Sequence, residues 1–305
     1  MAQVICLLGP TASGKTDLAV SLYRDFPGRF ELISVDSALV YRGMDIGTAK
    51  PSPELLADVP HHLIDIRDAS ETYSAADFCD DAHGLIEDIL VRDRTPLLVG
   101  GTMLYFRSLL QGLAEMPAAD EALREKLLQE AEERGWEYLH ERLQQVDPVA
   151  SQRIRPSDTQ RLQRALEVYE LTGRPISEFQ SESARSFPYS TLQIGLMPVD
   201  RSGLHRRIEQ RFQLMINAGL VQEVEALRAR GNVHDGLPSM RAVGYRQVWA
   251  YLEGEFDYDE MVYRGIVATR QLAKRQMTWM RSWPDLRFID TDPDVALQQT
   301  LKMLG

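Results

Sequence analysis

Short apolar runs alternate with longer mixed segments over the first hundred residues. The runs Gln3–Leu8, Phe30–Val35 and Pro96–Val99 are compact, rich in leucine or β-branched residues, and bounded by Gly, Asp or Pro. Runs of this kind are typical of buried strands. Helical periodicity occupies the segments between them, one after Lys15 and another across Ala75–Leu90. Strand–helix–strand alternation predicts an α/β fold with a mainly parallel sheet flanked by helices.

The pattern changes after about Gly112. Amphipathic helices fill the following interval, one over Asp120–Arg134 and one from about Ser157 with an apolar stripe that includes Leu162. The next strand pattern is Thr191–Met197. A helical block between two strand patterns predicts an inserted all-helical domain.

Helical patterns return after that strand, at Gly203–Asn217, Leu220–Arg230 and Glu260–Ser282. We therefore expect a catalytic α/β core over residues 1–112 and 191–305, which includes these C-terminal helices. The helical insertion is expected over residues 113–190.

Composition is that of an ordinary soluble protein. The chain has 305 residues with 44% hydrophobic and 26% charged residues, and its two cysteines are too few for a disulfide framework. The N-terminus has no basic leader, and no apolar run approaches the roughly 18 residues of a membrane span. We expect a cytoplasmic monomer with no membrane segment.

The net charge of −11 conceals an uneven distribution. Residues 54–93 carry eleven acidic side chains and two arginines, whereas residues 262–284 carry five basic side chains and no acid. On a helical wheel the five basic residues fall within an arc of roughly 140°. The basic side chains form either a solvated surface or, as we prefer, a contact surface for nucleic-acid phosphates.

A phosphate-binding motif follows the first strand pattern. The pattern G-x-x-x-x-G-K-[ST] is matched by Gly9-Pro10-Thr11-Ala12-Ser13-Gly14-Lys15-Thr16. Glycines allow backbone N–H groups to turn towards phosphate oxygens, and the following helix contributes its dipole. Lys15 adds a positive charge, and the hydroxyl of Thr16 is suited to Mg²⁺. The motif predicts a P-loop that binds a diphosphate, without identifying the compound that carries it.

Two further loops converge on the same sheet edge, because parallel strands end there together. Asp36 and Ser37 follow the second strand, and Gly100-Gly101-Thr102 follows the third. Asp36 is interpreted as a Mg²⁺-organising carboxylate, a general base or a turn residue. The Thr102 hydroxyl either donates to a substrate oxygen or is an ordinary polar loop group. An ATP-dependent kinase or another P-loop NTPase stays open at this point.

One pair of histidines and one pair of tryptophans are expected to have structural roles. His61 and His62 are adjacent without metal-ligand spacing, and Trp279 and Trp283 lie at i, i+4 on a predicted helix.

Six blocks resemble those of the bacterial tRNA dimethylallyltransferase (tRNA isopentenyltransferase) family and occur in the same order. They are Gly9–Thr16, Ser34–Pro51, Leu98–Tyr105, Asp158–Tyr169, Arg241–Gln247 and Ala268–Gln276. The resemblance implies transfer of a dimethylallyl group from dimethylallyl diphosphate to N6 of the adenosine 3′ of the anticodon, assisted by Mg²⁺. It further implies that Asp36 acts as the base and that Thr102 and Arg211 act on the diphosphate.

The resemblance also implies contacts with the tRNA anticodon arm. On the core they are expected at Asp36, Ser37, Ala38, Leu39 and Thr102, and on the insertion at Arg124, Gln160, Arg161, Leu162, Gln163 and Arg164. Further basic contacts are expected at Arg241, Arg246, Arg270, Lys274 and Arg275. An ATP-dependent kinase and a tRNA-binding protein without catalysis remain the alternatives.

Overall fold

The computed structural model describes residues 3–114, 116–181 and 187–304. The chain divides into two compact units, Met1–Leu109 together with Pro188–Gly305, and Leu110–Phe187. The boundaries expected from the sequence, 113 and 190, each lie three residues later. Within the described residues, no helix has both the length and the apolar character needed to cross a bilayer.

The first unit is built on a parallel sheet. Its strands are β1 (Val4–Leu8), β2 (Phe30–Val35), β3 (His61–His62), β4 (Thr95–Gly100), β5 (Thr191–Leu196) and β6 (Arg287–Ile289). The spatial order is β3-β2-β4-β1-β5-β6, and every neighbouring pair is parallel. This confirms the expected fold class. The edge strands β3 and β6 were missed, because two or three residues are too short to show a period.

Helices connect the strands and form the second unit. In chain order they are α1 (Lys15–Asp25), α2 (Pro53–Asp58), α3 (Ala75–Val91), α4 (Met103–Gln111), α5 (Glu121–Arg134), α6 (Trp136–Val146), α7 (Pro148–Ser151), α8 (Thr159–Thr172), α9 (Ile176–Ser181), α10 (Arg201–Asn217), α11 (Leu220–Ala229), α12 (Tyr245–Leu252), α13 (Tyr258–Arg281) and α14 (Pro293–Leu304). All five residues of β1 are buried, as expected for a strand covered on both faces.

The helices α10 and α13 approach each other closely. A Cβ at Gly265 of α13 would lie 2.0 Å from the ring of Phe212 on α10, so this ring occupies the space that a side chain would need. Only glycine allows this spacing. The two helices therefore pack closely enough to bring their facing side chains to the sheet edge.

The second unit has its own apolar core around α6 and α8. Leu139, Leu143 and Leu162 are fully buried in it. The side chain of Leu162 is therefore not an RNA contact, and that expectation was wrong. It came from a sequence block that includes one turn of the buried stripe.

A buried carboxylate ties this unit together. Glu167 is fully buried and accepts hydrogen bonds from Arg124 (2.9 Å), Arg164 (2.6 Å) and the backbone of Asp120 (2.8 Å). Burial raises the pKa of Glu167, but the hydrogen bonds from Arg124, Arg164 and the Asp120 backbone, together with the charge of Arg124, hold the pKa below its usual value. Arg124 and Arg164 thus share a single carboxylate within the unit, which offsets one of their two positive charges.

We expect Glu167→Gln to lower the free energy of unfolding by about 2 kcal/mol. This is less than the usual ~3–5 kcal/mol for breaking a buried pair, because both arginines reach solvent. Urea unfolding followed by circular dichroism measures the change. The control is Glu178→Gln, which removes an exposed ion pair with Arg174 and should cost at most about 0.5 kcal/mol. Equal losses in the two variants would contradict a special role for Glu167.

Candidate active site

The chain between β1 and α1 curls into a tight loop. Gly14 (φ 86°) and Ala12 (φ 60°) adopt the left-handed region, and the N–H of Ser13 donates to the carbonyl of Pro10 over 3.2 Å. Because α1 begins at Lys15, the first N–H groups of this helix have no acceptor within it. The loop therefore presents amide donors and a helix dipole, which favour an anion.

One side chain from α10 and one from α13 form hydrogen bonds with the backbone of this loop. The N–H of Thr11 donates to Oε1 of Gln276 on α13 (2.9 Å), and Nε of Arg207 on α10 donates to the carbonyl of Ala12 (3.1 Å). The amide of Thr11 is thus bound to a protein acceptor and is not among the donors that remain for an anion. Its side chain still lines the cavity described below.

Asp36 follows β2 directly, and its carboxylate is held in a fixed orientation. Oδ1 accepts hydrogen bonds from the N–H groups of Ala38 (2.9 Å) and Leu39 (3.3 Å). Oδ2 has no hydrogen-bond partner among the described residues. One oxygen therefore orients the carboxylate while the other is available to a ligand.

Thr102 connects the chain after β4 with the chain after β2. Its N–H donates to the carbonyl of Val35 (3.2 Å), and its Oγ1 accepts the N–H of Ser37 (3.1 Å). The same hydroxyl oxygen lies 3.4 Å from Oγ of Ser37, a long distance for a hydrogen bond. A hydroxyl in this weak contact is free to turn and donate to a ligand oxygen instead.

Two cations flank the loop and the carboxylate. Burial lowers the pKa of Lys15 to about 8, an effect that Asp36 counteracts and Arg211 reinforces. Burial also lowers the pKa of Arg211, against the opposing effects of Asp36 and Asp17. Burial disfavours the charged forms of both side chains, and one carboxylate offsets this only in part. A bound polyanion would therefore stabilise the two positive charges further.

These groups open onto one cavity of about 550 Å³ in the first unit. Its polar wall includes Thr11, Lys15, Thr16, Asp36, Ser37, Thr102, Arg211, Arg241 and Arg275, and Ala12 and Ala38 also line the cavity. Its apolar wall includes Leu39, Ile64, Met103, Leu104, Ile208, Phe212, Met215, Val243, Leu272 and Trp279. A cavity of this size with both kinds of wall suits a small polar ligand that carries an apolar group.

The residues that line the cavity differ from those expected from the sequence. Gly9, Ser13 and Gly14 shape the phosphate loop but do not line the cavity. His61 and Trp279 do line it, although both were interpreted as structural residues. Their sequence spacing showed no site, because their places depend on how β3 and α13 pack.

The opposite wall is shaped by a carboxylate that the sequence did not reveal. Glu223 on α11 accepts the N–H groups of Asp45 (2.8 Å), Ile46 (2.8 Å) and Gly47 (3.1 Å), and the hydroxyl of Tyr245. Four donors on one carboxylate hold the loop at Gly47 in place, and Gly47 lines the cavity. A glutamate in an amphipathic helix gives no sign of this role in the sequence.

The basic residues expected on the core to contact tRNA fall into two groups. Arg241, Arg246, Lys274 and Arg275 are exposed and form no ion pair among the described residues. Arg270 is only partly exposed and pairs with Glu209 at 2.8 Å, so most of its charge is balanced.

On the insertion, Gln160 and Arg161 are exposed at the start of α8, whereas Gln163 donates to the carbonyl of Arg124. Gln160 and Arg161 line a shallow depression that also includes Arg153 and Arg155, two arginines that sequence reasoning missed.

The donor set at the cavity suits a Mg²⁺ ion that is held mainly by substrate and water rather than by the protein. Thr16 and Asp36 both line the cavity and offer oxygen atoms. The described residues contain no group of three or more His, Cys, Asp or Glu that could hold a metal. Mg²⁺ commonly binds through one or two protein oxygens, substrate phosphates and water, and these residues fit that mode.

A glycine-containing phosphate loop, a held carboxylate and a hydroxyl at the carboxyl edge of a parallel sheet define a P-loop α/β protein. Residues 39–283 match the family model of IPP transferase. The chain is 59% identical over 290 residues to the tRNA dimethylallyltransferase of Thiobacillus denitrificans, which covers 95% of this chain and 92% of that protein.

Solved structures agree. The tRNA isopentenylpyrophosphate transferase of Bacillus halodurans is 37% identical with a TM-score of 0.72, covering 100% of this chain and 96% of that chain. A eukaryotic dimethylallyltransferase acting on tRNA is 26% identical with a TM-score of 0.79, covering 99% of this chain and 78% of that chain. The chain belongs to the IPP transferase family, which confirms the resemblance and does not favour the kinase alternative.

We expect the affinity for inorganic pyrophosphate to depend on the protonation of Lys15. Protonated Lys15 binds the anion, so affinity should fall as the pH rises above about 8, by up to about tenfold per pH unit. The measurement is isothermal titration calorimetry of the wild type and of Lys15→Arg, whose side chain keeps its charge. The ratio of the two affinities removes the titration of pyrophosphate itself, and a ratio that stays constant across pH 8 would contradict the assignment.

Proposed function

We propose that this protein transfers the dimethylallyl group of dimethylallyl diphosphate to N6 of the adenosine 3′ of the anticodon in tRNA and releases diphosphate. The observation that carries the proposal is that the phosphate loop, the carboxylate of Asp36 and the hydroxyl of Thr102 open onto one cavity. Membership in the IPP transferase family supports this choice of reaction.

The donor end of the reaction needs stabilisation of the leaving group. As the C–O bond to the diphosphate breaks, negative charge grows on the phosphate oxygens. Lys15, Arg211 and the amides at the start of α1 lie on the cavity wall where they oppose that charge. Thr102 donates its hydroxyl proton to an oxygen of the same group.

The acceptor end needs a base. The lone pair of an adenine amine is delocalised into the ring, so the amine is a weak nucleophile. Oδ2 of Asp36 takes its proton as the new C–N bond forms, which prevents positive charge from accumulating on nitrogen. The proton then passes to solvent, and the electron pair of the broken C–O bond leaves with the diphosphate.

Mg²⁺ is part of the proposal. Thr16 and the diphosphate oxygens would hold it, with water completing the coordination. When bound, the ion neutralises charge on the diphosphate.

The tRNA side of the proposal rests on the exposed cations. Lys274, Arg275, Arg241 and Arg246 on the core would contact phosphates of the anticodon arm. Arg161 on the insertion joins them, because its pair with Asp158 is long (3.4 Å) and its side chain is 71% exposed. The target adenosine must leave its stack to enter the cavity. The proposal includes a monomer, which is supported by the fact that all the proposed reactive groups belong to one chain, and a cytoplasmic location, where a tRNA acceptor is found.

The variant Asp36→Asn separates the role of Asp36 as a base from its role as a hydrogen-bond acceptor in the turn after β2. Asparagine keeps an oxygen for the N–H groups of Ala38 and Leu39, so the loop should keep its shape. We expect pyrophosphate affinity to change less than about threefold and single-turnover transfer of labelled dimethylallyl groups to tRNA to fall by about 10²–10⁴-fold. Asp80→Asn, on an exposed position of α3, is the matched control.

The same assay distinguishes the alternatives. Label in tRNA without ATP supports the transferase, whereas ATP turnover stimulated by a small acceptor supports a kinase. Binding of tRNA with neither reaction would indicate a binding protein, and wild-type transfer by Asp36→Asn would remove the base assignment.

Lys274→Gln and Arg275→Gln should each weaken binding to all tRNAs alike. Each substitution removes about one phosphate contact, so the slope of log affinity against log salt concentration should fall in magnitude by about 1. Filter binding over a salt series measures this slope. Arg264→Gln on the same helix is the control, because Arg264 pairs with Glu260 at 2.7 Å. Unchanged slopes in the first two variants would place tRNA elsewhere.

A further inference from the structure

The loops that carry the proposed donor and acceptor groups leave neighbouring strands. β1 and β4 pair up to Leu8 opposite Gly100, and the N–H of Gly9 donates to the carbonyl of Gly100 over 3.3 Å. Beyond this point the segments that follow β1 and β4 separate, and their backbone N–H and carbonyl groups need other hydrogen-bond partners.

Gln276 supplies partners for both loops at once. Its Oε1 accepts the N–H of Thr11 and its Nε2 donates to the carbonyl of Gly101, each over 2.9 Å. The backbone groups determine which end of the amide faces which loop, because an N–H needs an acceptor and a carbonyl needs a donor. A primary amide is the side-chain group that offers both in one plane.

Gly101 is shaped for this contact. A Cβ at Gly101 would lie 2.5 Å from Nε2 of Gln276 and 3.2 Å from the carbonyl oxygen of Gly9. The φ angle of Gly101 is not in the left-handed region, so the reason for glycine here is space rather than backbone conformation. The amide of Gln276 therefore occupies the space that a side chain at position 101 would need.

The contacts continue from Gln276 to the proposed base. Gly101 is followed by Thr102, whose Oγ1 accepts the N–H of Ser37 beside Asp36. On the other side, Thr11 belongs to the loop that precedes Lys15. One amide thus fixes the separation between the diphosphate loop and the groups that act on the acceptor amine.

We infer that Gln276 is a positioning residue that sets the distance between the donor-binding loop and the Thr102–Asp36 side of the cavity. The inference rests on the proposed function for its effect on rate, because it concerns how the two substrates are aligned. Misalignment of reacting atoms by about 1 Å is enough to cost up to about 10²-fold in rate.

The test uses the full chain with Gln276→Met and Gly101→Ala. Methionine matches glutamine in length and loses both hydrogen bonds, while alanine displaces the amide from the opposite side. We expect each variant to lower single-turnover transfer at saturating substrates by about 10- to 100-fold. The KM for tRNA and the thermal unfolding midpoint should stay close to wild type, because water can reach the freed backbone groups from the cavity.

The double variant tests whether the two changes break the same contact. We expect its rate to be close to that of the slower single variant, because contacts shared by two residues do not add. A rate equal to the product of the two separate losses would overturn the shared contact. A Gln276→Met rate within about twofold of wild type would overturn the inference as a whole. Loss of folding together with weaker tRNA binding would make Gln276 merely structural and would also overturn it.

Pyrophosphate binding separates this inference from the proposed function. Binding of inorganic pyrophosphate requires no acceptor, and we expect its affinity to fall about fivefold in both single variants as the loop loses its support. Unchanged affinity in both would contradict the inference even if the wild type transferred no dimethylallyl group. Absence of transfer by the wild type would instead contradict the proposed function. Gln271→Met, an exposed glutamine on the same helix, is the control and should behave as wild type in every assay.

Discussion

The site depends on how closely the chain after β4 approaches the end of β2. Gly100 lies opposite Val35, and a Cβ at Gly100 would be 2.0 Å from the Val35 carbonyl oxygen. Because only glycine fits there, the next residues can fold over the end of β2, and the amide of Thr102 reaches that same carbonyl. This backbone contact brings the hydroxyl of Thr102 beside Asp36. Thr102 and Asp36 are neighbours in the cavity because β2 and β4 end side by side, at Val35 and Gly100.

Features that depend on local sequence were predictable. Lys15 begins a helix after a glycine turn, and parallel strands bring Asp36 and Thr102 to one edge, so their neighbourhood follows from the order of elements. The geometry between them did not follow. The commitment of the Thr11 amide to Gln276 depends on a contact between residues 265 positions apart, which no local pattern encodes.

Other residues show the same limit. Leu162 lies in a block of polar residues and was grouped with them, yet the core of the insertion buries it. Glu167 is fully buried where a surface position would be the usual expectation for a carboxylate, because two arginines and a backbone amide converge on it. Trp279 lies on the cavity wall because α13 turns that face towards the site. Tertiary packing decided the environment of Glu167 and Trp279, which helical spacing alone could not, whereas the apolar stripe of its helix already indicated that Leu162 is buried.

The distribution of positive charge is also narrower than a count of arginines suggests. Arg264, Arg270, Arg124 and Arg164 are paired with carboxylates of their own unit. Ion pairing removes these side chains from long-range attraction of a polyanion and leaves a smaller set of exposed cations to act. Although the chain has a net charge of −11, these exposed cations form a basic surface beside the cavity.

The contact between Gly265 and Phe212 has a consequence for substrate size. The ring of Phe212 lines the cavity, whereas Gly265 lies behind the ring and does not. A methyl group added at Gly265 would force the ring to shift, so the free space beside the apolar wall of the cavity would change. The room available to a ligand is therefore open to change through interhelical spacing, from a position that does not itself line the cavity.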